Sequence, residues 1–370
     1  MILLDFIKNI SIRLKRKAKF ILLSNRNRRK YKNASFEQHL NKNYLNSYKK
    51  NCKKLKIKTN VKRVKCYLFY NKNEDINYIT EEYYKYYIEP YLNLNRYAVT
   101  IFRNKALIDL LPSVFKKIPD VFLQNYLKKI NGVFYNNNIE RIKNPEIFFK
   151  SITDEKLVFK KIIDSGGSRG VKIFFKNNER YRCEEDKDLM DIIYSEDDFI
   201  IQKFHLQHEI LASFNKSSAN TARVITYRSV TDEKIHILHH YLRIGEKDQH
   251  YDNIKNGKRV RILDSGQFDN WFLFRDFSVK PNTNNSFFPN FDKAKEIART
   301  IASYYPYHRL LSFDFTVDVN ENVKVIEINT SLTPEATNFM SGSLFGSFTN
   351  EVMTYVNLQS SQKKISDFKF

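Results

Sequence analysis

The sequence predicts an α+β protein: a body of antiparallel sheet and helices preceded by a mostly helical N-terminal region. Three observations carry this. Two pairs of β-branched runs, 223–230 with 235–243 and 311–319 with 323–329, are each joined by a short polar turn and read as hairpins. The stretch FDKAKEIARTIAS at 291–303 repeats its apolar residues at helical spacing. Hairpins beside amphipathic helices fit layered antiparallel sheet rather than alternating βαβ units. The chain has 370 residues, 42% of them hydrophobic and 15% aromatic, enough for more than one core.

In chain order, Leu3, Phe6, Ile7, Ile10 and Leu14 share one helical face, and Arg13, Lys15, Arg16, Lys17 and Lys19 follow closely. Charges break every apolar run well before the roughly 18 residues a membrane span needs, and there is no small-residue cleavage site. Neither a transmembrane helix nor a signal peptide is expected. Residues 24–60, rich in Asn and Lys, read as including a flexible connection. VKCYLFY at 64–70 reads as a strand, and 80–95 and 105–130 as mostly helical, punctuated by Pro90, Pro112 and Pro119. This suggests a small sheet within the N-terminal helical region. Strands follow at 157–162, 171–175, 199–204 and 209–214, with helices at 184–195 and 344–357. The expected organisation is a basic segment 1–60, an N-terminal region 61–150, a catalytic region 151–358 and a polar tail 359–370.

Charge is unevenly placed. Of a net +22, residues 1–65 hold +19, from 21 Lys/Arg against two Asp/Glu. A basic amphipathic helix on an anionic membrane fits this segment, and so does a surface helix packed on its own body with a solvated basic face. Clusters at 26–30 and 53–65 lack zinc-ligand spacing or an RNA-binding signature, so no specific nucleic-acid partner is expected. Cys52, Cys66 and Cys183 form no C-x-x-C pair, which fits a reducing compartment.

Four motifs carry chemistry. Lys160 lies on the strand 157–162, which is followed by Ser165-Gly166-Gly167-Ser168-Arg169-Gly170, whose glycines would let backbone N–H groups approach a phosphate. The spacing is not that of a P-loop, and a plain turn fits equally well. The strand ending Gln202-Lys203-Phe204-His205, with Glu209 beyond it, suits either a hinge reading an adenine edge or an ordinary edge strand. Arg223 opens one strand and Arg243 ends its partner, with Asn253 further on; the arginines suit a polyanion or a solvated surface. In VIEINT, Glu327 and Asn329 are two residues apart and share a strand face, with Asp314 on the preceding strand. Two carboxylates and an amide are hard oxygen ligands that suit Mg²⁺, or else form a hydrogen-bonded polar cluster.

Taken in this order, the motifs resemble the ATP-grasp superfamily over roughly 155–340. SANTARVITY at 218–227, LRIG at 242–245, DN at 252–253, FPNFDKAKEIA at 288–298 and the upstream YIEPYLNLNRYAVTIFRNKALIDLL at 87–111 look like its sugar-transfer-associated group, found among bacterial surface-polysaccharide genes. The resemblance implies two α+β subdomains clasping ATP, with ATP and Mg²⁺ as cofactors. Lys160 would hold phosphates beside the loop of Ser165, Gly166, Gly167 and Gly170. Gln202, Lys203, Phe204 and His205 would line the adenine, and Glu209 would bind ribose. Arg223 and Arg243 would act on the triphosphate together with Lys160, Asn253 would assist nucleotide binding, and Asp314, Glu327 and Asn329 would hold the metal. Lys161 stands where many members have Pro, Asn256-Gly257 where Gly-Gly is frequent, and Ser312 where D-alanine–D-alanine ligases have Arg.

The implied activity is ATP-dependent amide-bond formation through an acyl phosphate, joining small-molecule or glycan carboxylate and amine substrates. The carboxylate would belong to a uronic acid or an amino acid on a surface glycan, and a surface-polysaccharide sugar or its precursor would gain an amide-linked group. A kinase on the same fold and a non-enzymatic basic adaptor are the alternatives. The expected location is the cytoplasm, with residues 1–30 at the inner face of the membrane.

Overall fold

The computed structural model describes residues 2–30, 41–58, 60–93, 104–116, 118, 120–162, 170–246 and 257–362. Its N-terminal region is helical: α1 (Ile2–Lys30), α2 (Lys42–Leu55), α3 (Val61–Asn71), and a helix Glu81–Tyr83 that passes through a π-helical turn, Tyr84–Ile88, into Glu89–Leu92. Residues 64–70 are therefore helix, not strand. Asn60 caps α3, its side chain accepting from the Arg63 N–H, and Lys72 closes it in the left-handed region. Val64, Tyr67 and Leu68 then form one buried stripe. The Tyr67 ring meets Phe339 edge-on, with centroids 5.0 Å apart. The apolar residues of VKCYLFY satisfy both periods, and the cap together with this packing selects the helical one. Residues 24–30 continue α1, and 42–55 form α2, which replaces much of the expected flexible connection.

Six strands form the first sheet: β1 (Asn125–Ile130), β2 (Val133–Tyr135), β3 (Lys156–Lys161), β4 (Val171–Asn177), β5 (Arg180–Cys183) and β6 (Phe199–Lys203), in the order β2-β1-β6-β3-β4-β5. Residues 125–130 are thus strand where helix was expected. Strand structure described in the N-terminal region is confined to β1 and β2, which belong to this larger sheet. One face of the sheet buries Leu157, Phe159 and Ile201 with Phe149 and Ile193, from helices Pro145–Lys150 and Leu189–Ser195.

Seven strands form the second sheet: β7 (Thr221–Arg228), β8 (Ile235–Ile244), β9 (Lys258–Ile262), β10 (Phe268–Phe274), β11 (Val279–Pro281), β12 (Leu310–Val317) and β13 (Val323–Asn329), in the order β11-β10-β9-β8-β7-β12-β13. Both expected hairpins are present, but β9, β10 and β11 had no counterpart in the sequence reading. Residues 209–214, expected as strand, begin instead with the short helix Glu209–Ala212, capped by His208 Nδ1 accepting from the Ile210 N–H at 3.2 Å. The helix Phe291–Ser303 lays Ala294, Ile297, Ala298 and Ile301 on one face of the sheet, against Val224, Leu242, Phe313 and Phe315. The other face carries Tyr227, Ile225 and Leu310 at one end, where the N-terminal helices cover it. Its other end carries a row of polar side chains.

Candidate active site

The polar row begins at the β12–β13 hairpin. Asp314 pairs with Glu327 and Ser312 with Asn329, so Asp314, Glu327 and Asn329 share one face. Phe315 then pairs with Val325, which leaves Ile326 as a bulge. The bulge reverses the inside–outside alternation. Ile328 on one side of it and Val325 and Val323 on the other all reach the core, while Glu327 and Lys324 stay out of it. Asp314 is 2% exposed. It sits on a strand buried along its whole length, and a charge there needs partners.

The partners come from β7 and β8. Arg223 lies directly opposite Asp314. It makes a fork of two hydrogen bonds, Nε to Oδ1 at 2.8 Å and Nη2 to Oδ2 at 2.7 Å. Arg243 Nη1 adds a third at 2.9 Å to Oδ2, and Asn329 Nδ2 donates to the same oxygen at 3.3 Å. Burial pushes the Asp314 carboxyl up, but Arg223 and Arg243 outweigh it and hold the group below the usual carboxylate range. Asn329 donates through its nitrogen, so its amide oxygen is left to accept. No described side chain forms a hydrogen bond or ion pair with the Glu327 carboxylate.

The first sheet supplies the other predicted residues. Lys160, half-buried on β3, pairs with Ile200 and Val171. Gln202 is buried between Asn125 and Val158, whereas Lys203, Phe204 and His205 line a cavity of about 1000 Å³. The β12–β13 turn, Asp318 to Asn320, and Lys324 line it as well. Leu206 and Val319 also line this cavity and are 61% and 58% exposed, so two large apolar side chains stand bare at its wall. His205 is held at the turn by Nε2, 3.3 Å from the Val317 carbonyl. Burial lowers its pKa to about 4, and the positive charges of Lys324 and Lys160 act in the same direction, so the ring is neutral at neutral pH. Gly170 has φ +79°, and a Cβ there would stand 3.0 Å from Lys161 Cγ, so the residue closing the glycine loop needs both the left-handed backbone and the space. Glu209 is exposed at the start of its short helix and does not line the cavity. Ser165, Gly166, Gly167 and Asn253 lie outside the described residues.

The structure adds residues that the sequence reading passed over. Leu206 and Val319 extend the cavity wall. Arg259 and Arg261 extend the polar row, since Arg259 pairs with Arg243 and Arg261 with Tyr241. The alternation KRVRI, with Val260 and Ile262 buried, was the available signal.

Two antiparallel sheets, a hinge-side cavity between them and a row of arginines and carboxylates on the larger sheet define a protein of the ATP-grasp class. Residues 81–347 match the family model described as sugar-transfer associated ATP-grasp, and the chain belongs to that family. Among solved structures it is similar to an N5-carboxyaminoimidazole synthetase from Staphylococcus aureus complexed with ADP, with 10% identity over 68% of this chain and 53% of that one, and a TM-score of 0.41. It is similar to a D-alanine–D-alanine ligase from Bacillus anthracis, with 12% identity over 71% and 68% and a TM-score of 0.34. It is also similar to the biotin carboxylase domain of the 2-oxoglutarate carboxylase of Hydrogenobacter thermophilus, with 13% identity over 70% and 46% and a TM-score of 0.40. The chain spans about half the length of the first of these structures. None of the curated proteins compared with it matches.

Proposed function

We propose that this protein is an ATP-dependent carboxylate–amine ligase that modifies a sugar of a surface polysaccharide, or its precursor, through an acyl phosphate. The observation that carries this reading is the row Arg223–Asp314–Glu327, with Asn329 beside it, on the face of the larger sheet. An acceptor carboxylate oxygen attacks the γ-phosphorus and the bond to the β-bridging oxygen breaks, giving acyl phosphate and ADP. An amine then adds to the acyl carbon, and inorganic phosphate leaves with the oxygen that came from the carboxylate. Arg223, Arg243 and Lys160 neutralise charge on the transferred group, and the hinge residues Lys203, Phe204 and His205 position the base.

Mg²⁺ fits this donor set. Among the described residues no group of three or more His, Cys, Asp or Glu stands together to hold a metal by protein alone. Mg²⁺ instead prefers one or two carboxylates plus substrate phosphates. Glu327 and the Asn329 amide oxygen are available, and Asp314 completes the set where the triphosphate shares Arg223 and Arg243. The ion would supply charge neutralisation at the phosphates.

The test uses glucuronic acid as the carboxylate probe, with ATP, Mg²⁺ and hydroxylamine as the trapping amine. A ligase gives a hydroxamate and, from ¹⁸O-labelled carboxylate, ¹⁸O in the inorganic phosphate. A phosphorylated sugar formed without amine would instead identify a kinase.

Residues 1–30 are the membrane-facing part of this reading. One face of α1 packs on the body. Arg16 lies 4.7 Å over the Tyr87 ring, Phe20 meets Tyr87 at 5.5 Å, Leu23 is buried, and Asn27 donates to Glu81 at 3.0 Å. The opposite face leaves Ile10, Leu14 and Ile21 exposed among Arg13, Lys17 and Arg28. No described helix is long and apolar enough to cross a membrane. An exposed apolar stripe with basic flanks suits the surface of an anionic bilayer.

A further inference from the structure

Arg259 and Arg261 stand on the same face as the active-site row but at its far end. The register aligns Arg261, Tyr241, Arg223, Asp314 and Glu327 across five neighbouring strands, with Arg259, Arg243 and Thr221 as the adjoining row. Asp314 already takes the fork of Arg223 and a bond from Arg243. Neither Arg259 nor Arg261 forms a hydrogen bond or ion pair with a described residue. The carboxylate of Glu335 acts on Arg259 only through space. Burial, and then the positive charges of Arg243 and Arg223, weaken the hold of Arg259 on its proton. Cations gathered on one face in this way are stabilised by an anion that is not part of the protein.

We propose that Arg259 and Arg261 form a second anion subsite, which holds a phosphate or diphosphate group carried by the acceptor sugar. The proposal rests on the ligase reading, in which the reacting carboxylate meets the γ-phosphate beside Arg223, Arg243 and the metal set of Asp314, Glu327 and Asn329. Two guanidinium forks supply two charges and several coplanar donors, matched to a dianionic oxyanion more than to a single carboxylate. Distance favours this arrangement. From β12 to β9 is three strand spacings, about 14 Å at roughly 4.8 Å each, with the side chains standing roughly parallel off the sheet face. That span suits a sugar ring extended by a carboxylate at one end and a phosphate or diphosphate at the other. Beyond β9 the face becomes apolar, since Leu273 pairs with Arg259 and joins the core under the N-terminal helices. The charged strip therefore ends at these two arginines.

The probe is inorganic pyrophosphate, titrated calorimetrically into the full chain saturated with Mg²⁺ and a non-hydrolysable ATP analogue. The wild type should bind it, and Arg259→Gln/Arg261→Gln should weaken that binding at least tenfold while binding the analogue as tightly as before. Arg259→Lys/Arg261→Lys should fall between the two, a readout that misfolding would not produce. Pyrophosphate binding that is absent in the wild type, or equal in the Gln variant, overturns the subsite. If the ATP analogue itself does not bind, the nucleotide reading fails. The subsite is then judged by the same comparison without the analogue, where loss in the Gln variant supports it and equal binding overturns it.

Discussion

Asp314 and Glu327 are cross-strand partners with different circumstances, so their substitutions should differ. Asp314 is the counter-ion of two arginines. Asp314→Asn leaves Arg223 and Arg243 without it, and removing one partner of a buried pair typically costs about 3–5 kcal/mol. That variant should unfold at markedly lower denaturant as well as lose turnover. Glu327 is in no ion pair with a described residue, so Glu327→Gln should fold as the parent does and lose nearly all ATP turnover. A folded Glu327→Gln enzyme with parental turnover, measured by phosphate release, would exclude the metal role. Lys160→Ala should weaken ATP binding by about 1.5–3 kcal/mol, the scale of a charge-assisted hydrogen bond. Leu206→Asp should weaken binding of adenosine and of ATP alike, because Leu206 lines the cavity and not the phosphate row. Calorimetry with both ligands separates the two effects.

At the scale of elements, small local devices decide the outcome. α3 is held by its Asn60 cap, and Asn60→Ala should lower stability by about 1 kcal/mol, read as a shift in the urea midpoint. Gly170 joins the glycine loop to β4. Gly170→Ala must place a Cβ in the left-handed region against the Lys161 side chain, so it should reduce ATP affinity while leaving the rest of the molecule folded. The Ile326 bulge has an equivalent role on the hairpin. Deleting Ile326 would make the hairpin regular while keeping Val325 paired with Phe315 and Lys324 with Thr316, so the larger sheet should still fold. Inserting a second residue beside Ile326 would instead turn Lys324 toward the core and Val325 out of it, and should abolish folding.

For the whole molecule, buried histidines set the acid side of stability. His205 and His239 are each lowered to about 4 by burial, against an ordinary value of 6.5. Below pH 6.5 the unfolded chain takes up protons that the folded chain refuses, so stability falls as pH drops from 6.5 toward 4. By linkage each group should cost on the order of 2 kcal/mol at pH 5 relative to pH 7.5. The Asp314 contribution is lost only further down, as pH falls below the usual carboxylate range. Chemical denaturation at the two pH values measures this, and His239→Gln should remove part of the difference. The two faces of α1 make a separate prediction. Ile10→Ser/Leu14→Ser/Ile21→Ser should release the protein from anionic vesicles in co-sedimentation while leaving its melting temperature near that of the parent. High salt should weaken vesicle binding of the parent protein. Failure of the parent to sediment with anionic lipid at low salt would remove the membrane reading.

What the sequence determined by itself was local and periodic. Strand pairs with polar turns, the helix at 291–303 and the carboxylate–amide spacing on one strand face follow from side-chain alternation, which short stretches of chain encode directly. Tertiary structure decided what alternation leaves ambiguous. VKCYLFY became helix because a cap and the Phe339 ring selected one of two periods that its apolar residues satisfy. Residues 209–214 turned helical at their start through the His208 cap. Strand β9 was passed over although KRVRI alternates, and β11 is a three-residue edge strand, exposed throughout, whose strand form comes from pairing with β10. The pairing of Asp314 with Arg223 and Arg243 likewise depends on strands some seventy to ninety residues away. Such contacts arise from sheet register, a property of several segments at once, and no single segment of the chain encodes them.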